Sequence, residues 1–434
     1  MVLDRFPFFM IFAQSIDMKQ VFTLTDPLLF EQKALHWANQ YFIYTCFLNP
    51  NTANYPFGAF EKKLAAAQSV LPIDGLESLD HLAQKDAFGF LSYELKNQIE
   101  KLTSQNSPTV EFPALGFFEP EILITWLNDS EVTIISDDPA AIYQAIIEQR
   151  IQEYPLKLGA IHASMPKAAY LEKVNQVRQH IYEGDVYELN LCMEFHAQID
   201  TLDPVSTYFS LNTASPKPFS SFLKWDQKYA LCASPERFLR KKAQQLLSQP
   251  IKGTTRRDQD PTIDLALKHE LAHSEKERAE NMMIVDLVRN DLARCSESGS
   301  VKVEEMFGIY SFEQVHQMIS SVSATAKSNV GLKEILQATF PMGSMTGAPK
   351  IMAMQLIDQY ETVSRGLYSG SIGYITAEGD FDFNVVIRTI LLDMDQSKLS
   401  FQVGSAITYD SDPEAEYQEC LLKAKAILQI LDQL

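Results

Sequence analysis

Residues 277–292 read Glu277-Arg-Ala-Glu280-Asn-Met-Met-Ile-Val-Asp-Leu-Val-Arg-Asn-Asp-Leu292. The stretch reads as a helix, with Ser274 predicted as its N-cap and Glu277 at the capping-box position. Glu277 and Glu280 stand three apart, so a helix places them on one face. A second pair, Glu416 and Glu419, has the same spacing in a final helix that Asp412 opens as N-cap, with Pro413 in its first turn. Neither pair shows an obvious lysine or arginine opposite it in its own turn. If the two helices meet, four carboxylates converge, and their mutual repulsion calls for a cation. An all-oxygen donor set favours a hard ion such as Mg²⁺. For one such pair in isolation a solvated acidic face is the ordinary reading; the neighbouring segments change it.

Working outward, Pro250-Ile-Lys252-Gly253-Thr254-Thr-Arg256-Arg257 sets a lysine before a glycine. Glycine admits close backbone approach to a ligand, and a lysine whose pKa is lowered by burial can act as a nucleophile. Phe340-Pro-Met-Gly343-Ser344-Met-Thr-Gly347-Ala-Pro349-Lys350 reads as a glycine-rich loop running into a helix, where free N–H groups favour an anion. Tyr368-Ser-Gly-Ser-Ile-Gly373-Tyr reads as a strand whose glycines admit a ligand. Val385-Val-Ile-Arg388-Thr-Ile places an arginine inside an apolar strand, where it needs an anion, either a ligand carboxylate or a structural partner. His316 is a candidate acid–base group. Lys423 follows Glu419 by four residues and Glu416 by seven, so it shares their face. A metal site with a cation beside it suits a ligand carrying more than one carboxylate.

The net charge of −19 argues against nucleic acid or an anionic membrane as the main partner. Cys46, Cys192, Cys232, Cys295 and Cys420 are scattered without a CxxC, which points to a reducing, cytoplasmic setting without a zinc cluster. No apolar run approaches the ~18 residues of a membrane span. Residues 1–17 lack the positive flank of a signal peptide, and Met18 is the expected true start. Residues 1–155 hold short strand-like runs punctuated by prolines and form a variable front part. From 156 to 434 the patterning sharpens. Tyr170 to Glu183 reads as a helix closed by Gly184, the run from Val186 as a half-buried strand, and Phe219–Trp225 and Tyr229–Ala233 as further strands. Strands and helices mix without a βαβ rhythm, which predicts α+β layers rather than a doubly wound sheet.

Taken together, three strings resemble the chorismate-utilising enzymes, a family that includes anthranilate, aminodeoxychorismate, isochorismate and salicylate synthases. They are the 277–292 stretch, the Gly343–Lys350 loop and Asp410-Ser-Asp-Pro-Glu-Ala-Glu416-Tyr-Gln-Glu419. The similarity runs in unbroken motif order from about Lys167 onward. The resemblance implies an α+β fold: a large antiparallel β-sandwich with outer helices and the site in a deep cleft. It implies Mg²⁺ at the ring carboxylate of chorismate, with Glu280 and Glu419 nearest the metal and Glu277 and Glu416 beside them. Arg388 and Tyr368 would hold the enolpyruvyl carboxylate. The backbone of Gly404, Ser405 and Ala406 would meet a carboxylate, with Thr254 and Lys423 also lining the substrate site. His316 and Ser344 would sit near the departing C4 hydroxyl.

Within the family, a lysine in Pro-Ile-Lys-Gly-Thr resembles the members that form 4-amino-4-deoxychorismate, on the branch to 4-aminobenzoate and folate. Lys252 would attack C2 and expel the C4 hydroxyl; ammonia would then add at C4 and expel the lysine. The water-using members carry a lysine in the segment matching Gly184-Asp-Val-Tyr-Glu188-Leu-Asn, which is absent here. Three departures stand out. Glu188 replaces the usual glutamine, Gly404-Ser405-Ala406 replaces a Gly-Ala-Gly or Gly-Gly-Gly triplet, and Thr255-Arg256 alters the turn after Lys252. If the triplet's last position requires positive φ, Ala406 is strained. No cysteine sits in a nucleophile elbow, so ammonia is expected from free solution or from a separate glutamine amidotransferase subunit. The nearest alternative is anthranilate synthase component I; from another class, a non-catalytic chorismate-binding regulatory subunit.

Overall fold

The computed structural model describes residues 18–432 except 52–54, 83, 153 and 314. The segment ahead of Met18 therefore lies outside the described residues. Two antiparallel sheets, of 13 and 9 strands among these residues, carry the fold; Lys157–Leu158 and His162–Ala163 in the larger and Lys302–Ser311 in the smaller pair off the main paths. The larger runs Met18–Thr23, Glu131–Ser136, Ile122–Asn128, Lys63–Ala67, Tyr44–Asn49, Phe219–Trp225, Lys228–Ser234, Thr389–Asp393, Lys398–Ile407, Glu188–Thr201, Gly347–Ala348. The smaller runs Ile251–Arg256, Val315–Thr325, Gln245–Gln249, Arg237–Lys242, Phe381–Asn384, Ser371–Ile375, Ala87–Leu91, Leu115–Phe118. Strands from residues 18–155 and from 156–432 share both sheets.

Three apolar clusters define the layers. Phe219, Leu223, Ala230 and Leu391 of the larger sheet pack with Phe88, Phe90, Ile319 and Ile372 of the smaller one, so the sheets lie face to face. The outer face of the larger sheet packs on helices through residues such as Tyr170, Val174, Leu356 and Ile427. That of the smaller packs on Ile284, Val288 and Leu336. The expected sandwich with outer helices is the observed architecture.

Local chemistry sets the elements. Five helices open on Asp-Pro: Asp26, Asp138, Asp203, Asp260 and Asp412 each accept a backbone N–H of the first turn, and the proline that follows needs none. Ser274 caps the Glu275–Cys295 helix, its Oγ accepting from Glu277 N at 3.3 Å. Gly184, at φ +87°, closes Lys167–Glu183 as expected. Two readings are corrected. Arg388 is not inside a strand: Phe381–Asn384 belongs to the smaller sheet and Thr389–Asp393 to the larger, and Arg388, at φ +54°, ends the crossover between them. Tyr368 precedes the Ser371–Ile375 strand rather than belonging to it.

Candidate active site

Lys252 lies on the Ile251–Arg256 strand, whose pairing with Val315–Thr325 shifts register between Ile251 and Thr254. Gly253 makes the shift possible: its φ is +93°, and a Cβ there would sit 3.0 Å from Glu277 Oε2. The glutamate helix therefore lies directly against this strand, and Asn281 Nδ2 donates to Lys252 O at 3.5 Å. Lys252 Nζ donates to Glu188 Oε1 at 2.6 Å. Glu188 begins a strand of the other sheet, so this largely shielded pair joins the two sheets across their gap. Gly347, at φ +153°, lets the Gly343–Lys350 loop close on it; a Cβ there would lie 2.1 Å from Glu188 O. Burial alone would lower the Lys252 pKa, as the sequence suggested. Glu188, Glu280 and Glu419 outweigh burial, so it lies above the ordinary lysine value. The resting side chain is an ammonium.

The two glutamate pairs face the same region without closing into a tight cage. Glu280 and Glu416 are buried, whereas Glu277 and Glu419 are half-buried. Burial holds the Glu280 carboxyl up at about 7, and among the described residues its Oε1 has no hydrogen-bond partner. Ser411 Oγ donates to Glu416 Oε1 at 2.8 Å. The expectation that no cation stands beside the pairs is corrected by Lys276, one turn before Glu280. Its Nζ is 3.8 Å from Glu280 Oε1 and 3.9 Å from Glu416 Oε1. On the other helix Lys423 Nζ contacts Glu419 Oε1 at 2.6 Å and Gly404 O at 2.8 Å. Burial pushes the Glu419 carboxyl up, but Lys423 more than offsets it and holds the carboxyl below its usual value. Among the described residues the acidic or histidine group tight enough to hold an ion as it stands is His180, Glu183 and Asp185, elsewhere on the surface. His180 there is already held by Asp185 and by Tyr360 OH.

Ser344 is buried and donates to Glu236 Oε1 at 2.7 Å. Sequence reading missed Glu236, which sits between two strands in Ser234-Pro-Glu-Arg-Phe and gives no pattern signal. It is 4 % exposed, and burial raises its carboxyl to about 7. The role expected for His316 is corrected. Its Nδ1 is 2.8 Å from Ser311 Oγ and its Nε2 3.0 Å from Asp264 Oδ1, so both ring nitrogens are engaged. Strand alternation is the reason. His316 and Ser320 face the helices, where Ser320 donates to Asn281, whereas Val315 and Ile319 face the inter-sheet core. Gln317, paired opposite Thr254, lies on that inner face, buried, its Oε1 without a hydrogen-bond partner among the described residues.

Tyr368 is buried, its OH 3.9 Å from Cys192 Sγ. Arg388 makes no ion pair among the described residues; burial pushes its pKa down against the pull of Tyr368 and Glu419. Gly404, Ser405 and Ala406 lie in a regular strand paired with Cys192, Leu191 and Asn190. Ala406 is absent from the positive-φ positions, so the alanine carries no strain. The Ser405 hydroxyl meets Tyr170 OH at 2.9 Å on the helix side. Thr254 is exposed on the lysine strand.

A family model described as chorismate binding enzyme matches residues 42–429. Aminodeoxychorismate synthase component 1 of Klebsiella aerogenes is 36% identical over 351 residues, covering 80% of this chain and 77% of that protein. The anthranilate synthase component 1 of Saccharolobus solfataricus is 33% identical over 352 residues, covering 81% and 82%. The crystal structure of anthranilate synthase component I from Streptococcus pneumoniae TIGR4 superposes with a TM-score of 0.73 at 26% identity, covering 97% of this chain and 94% of that one. The menaquinone-specific isochorismate synthase of Escherichia coli shares the fold, with a TM-score of 0.75 at 16% identity, covering 96% and 94%. The inter-sheet lysine, the facing glutamates and these relatives lead to one conclusion: the chain belongs to the chorismate-binding enzyme family.

Proposed function

We propose that the chain is an aminodeoxychorismate synthase component I, converting chorismate and ammonia to 4-amino-4-deoxychorismate and water. The observation that carries this reading is Lys252, whose ammonium is held at 2.6 Å by a carboxylate in the gap between the sheets. An exposed turn lysine would have no such partner. Glu188 takes the Lys252 proton, and the neutral amine attacks ring carbon C2. The ring double bonds shift and the C4 hydroxyl leaves as water, with a proton supplied through Ser344 from Glu236, whose value near 7 leaves it partly protonated at neutral pH. Ammonia adds at C4, the double bonds return, and the Lys252–C2 bond breaks. The lysine leaves as a free amine and recovers its proton from Glu188, and the ammonium formed at C4 gives up its excess proton to Glu236 by way of Ser344.

The donor set fits Mg²⁺: it is all oxygen, buried Glu280 Oε1 accepts no hydrogen bond among the described residues, and the Lys276 ammonium already occupies a cation position between Glu280 and Glu416. Glu280 and Glu419 would hold the ion, with Glu277 and Glu416 beside them and Lys276, which is exposed, displaced. When bound, the ion would neutralise the ring carboxylate and stabilise charge delocalised into it. Ammonia would come from a separate glutamine amidotransferase subunit. The five buried free cysteines support a cytoplasmic setting.

The Saccharolobus relative keeps anthranilate formation as the second reading. Product analysis separates the two. With chorismate, Mg²⁺ and ammonium, the expected product has the mass of aminodeoxychorismate and forms without pyruvate. Fluorescent anthranilate with stoichiometric pyruvate would overturn the assignment. Mg²⁺-independent chorismate binding without turnover would identify a non-catalytic binding subunit.

A further inference from the structure

Lys217, just before the Phe219–Trp225 strand, is 4 % exposed. Among the described residues its ammonium has no ion-pair or hydrogen-bond partner; its Nζ lies 5.7 Å from the centroid of the Phe312 ring. Burial and then the like charge of Arg388 push its pKa down to about 8, against the weaker pull of exposed Glu313. Buried lysines are almost always paired, because desolvating an ammonium without a counter-charge is costly.

The second unpaired cation is close by. Arg388 O accepts from Ala233 N at 3.2 Å, Ala233 pairs with Ser220, and Ser220 N donates to Lys217 O at 3.4 Å. Lys217 and Arg388 therefore flank the end of the Lys228–Ser234 strand, on the same end of the larger sheet. Two like charges gathered in a desolvated place repel each other until an anion joins them. On the functional reading above, the substrate carries two carboxylates, and the glutamate group with its cation accounts for one of them.

We propose that Lys217 and Arg388 together bind the second carboxylate, that of the enolpyruvyl group, making Lys217 a substrate-binding residue that sets affinity for a doubly anionic ligand. The inference rests on the reading of the substrate as chorismate.

The test uses Lys217→Met and Lys217→Gln, measured for thermal melting with and without chorismate plus Mg²⁺, and for steady-state kinetics. Because the free protein loses an unpaired buried charge, Lys217→Met is expected to melt at or above the wild-type temperature. The rise in melting temperature caused by chorismate should shrink in both variants, and KM should increase at least about tenfold while kcat changes little, as expected for loss of one charged contact. Unchanged KM and an unchanged chorismate-induced shift in both variants would overturn the proposal alone and leave the functional reading standing. A wild-type protein that chorismate neither stabilises nor saturates would overturn the functional reading and, with it, the ligand named here.

Discussion

Glu194 is buried at 2 % exposure on the Glu188–Thr201 strand, with Thr109 Oγ1 donating to its Oε2 at 2.7 Å. Burial raises its carboxyl to about 7. A folded value above the unfolded one means the stability is whole below the unfolded value of 4.5 and declines as pH rises through 7. Glu194→Gln keeps the acceptor for Thr109 and removes the charge. It should leave the melting temperature nearly unchanged at pH 4.5 and raise stability by up to about 3 kcal/mol at pH 8. A pH-independent difference between the proteins would contradict this. The residue scale is also where the sequence misleads most. His316 was selected by its chemistry, yet a strand gives alternate residues to opposite faces, and the register placed Gln317 on the inner face instead. Glu188 looked like a departure from a family pattern; its meaning as the partner of Lys252 required the approach of two sheets. Lys276 was legible, four residues before Glu280, and was overlooked.

At the scale of elements, the local code was largely readable. The Ser274 cap, the Gly184 stop and the Phe219–Trp225 strand match their predicted places because each depends on neighbours in sequence. The Asp-Pro starts at Asp26, Asp138, Asp203 and Asp260 carried the same signal as Asp412. Arg388 was misread because an apolar run cannot reveal where a chain leaves one sheet for another. Gly253 shows an element depending on one backbone position. A Gly253→Ala substitution must hold a side chain at φ +93° and push against Glu277 and Leu271. It should destabilise the protein by about 1–3 kcal/mol and depress activity, since Lys252 is the preceding residue. An unfolding midpoint and turnover both equal to wild type would show that the glutamate helix has room to move away.

For the whole molecule, the mixture of strands and helices announced layers, but not their order. The path from Tyr44–Asn49 to Phe219–Trp225 and from Thr389–Asp393 to Lys228–Ser234 joins segments far apart in sequence, and such pairings leave no local trace. They nevertheless create the site. Glu188 comes from one sheet and Lys252 from the other, and Arg237, paired with Asp382 in the smaller sheet, lies 4.7 Å over Phe219 of the larger. The sandwich thus fixes the gap that holds the lysine, and the direct test of its proposed role is to catch Lys252 bonded to substrate. Wild-type protein mixed with chorismate and Mg²⁺ without ammonia, then acid-quenched and peptide-mapped by mass spectrometry, should carry chorismate less one water on Lys252, and adding ammonium before the quench should discharge the adduct as aminodeoxychorismate. No adduct on Lys252, together with undiminished amination by Lys252→Ala, would contradict the lysine's role as nucleophile.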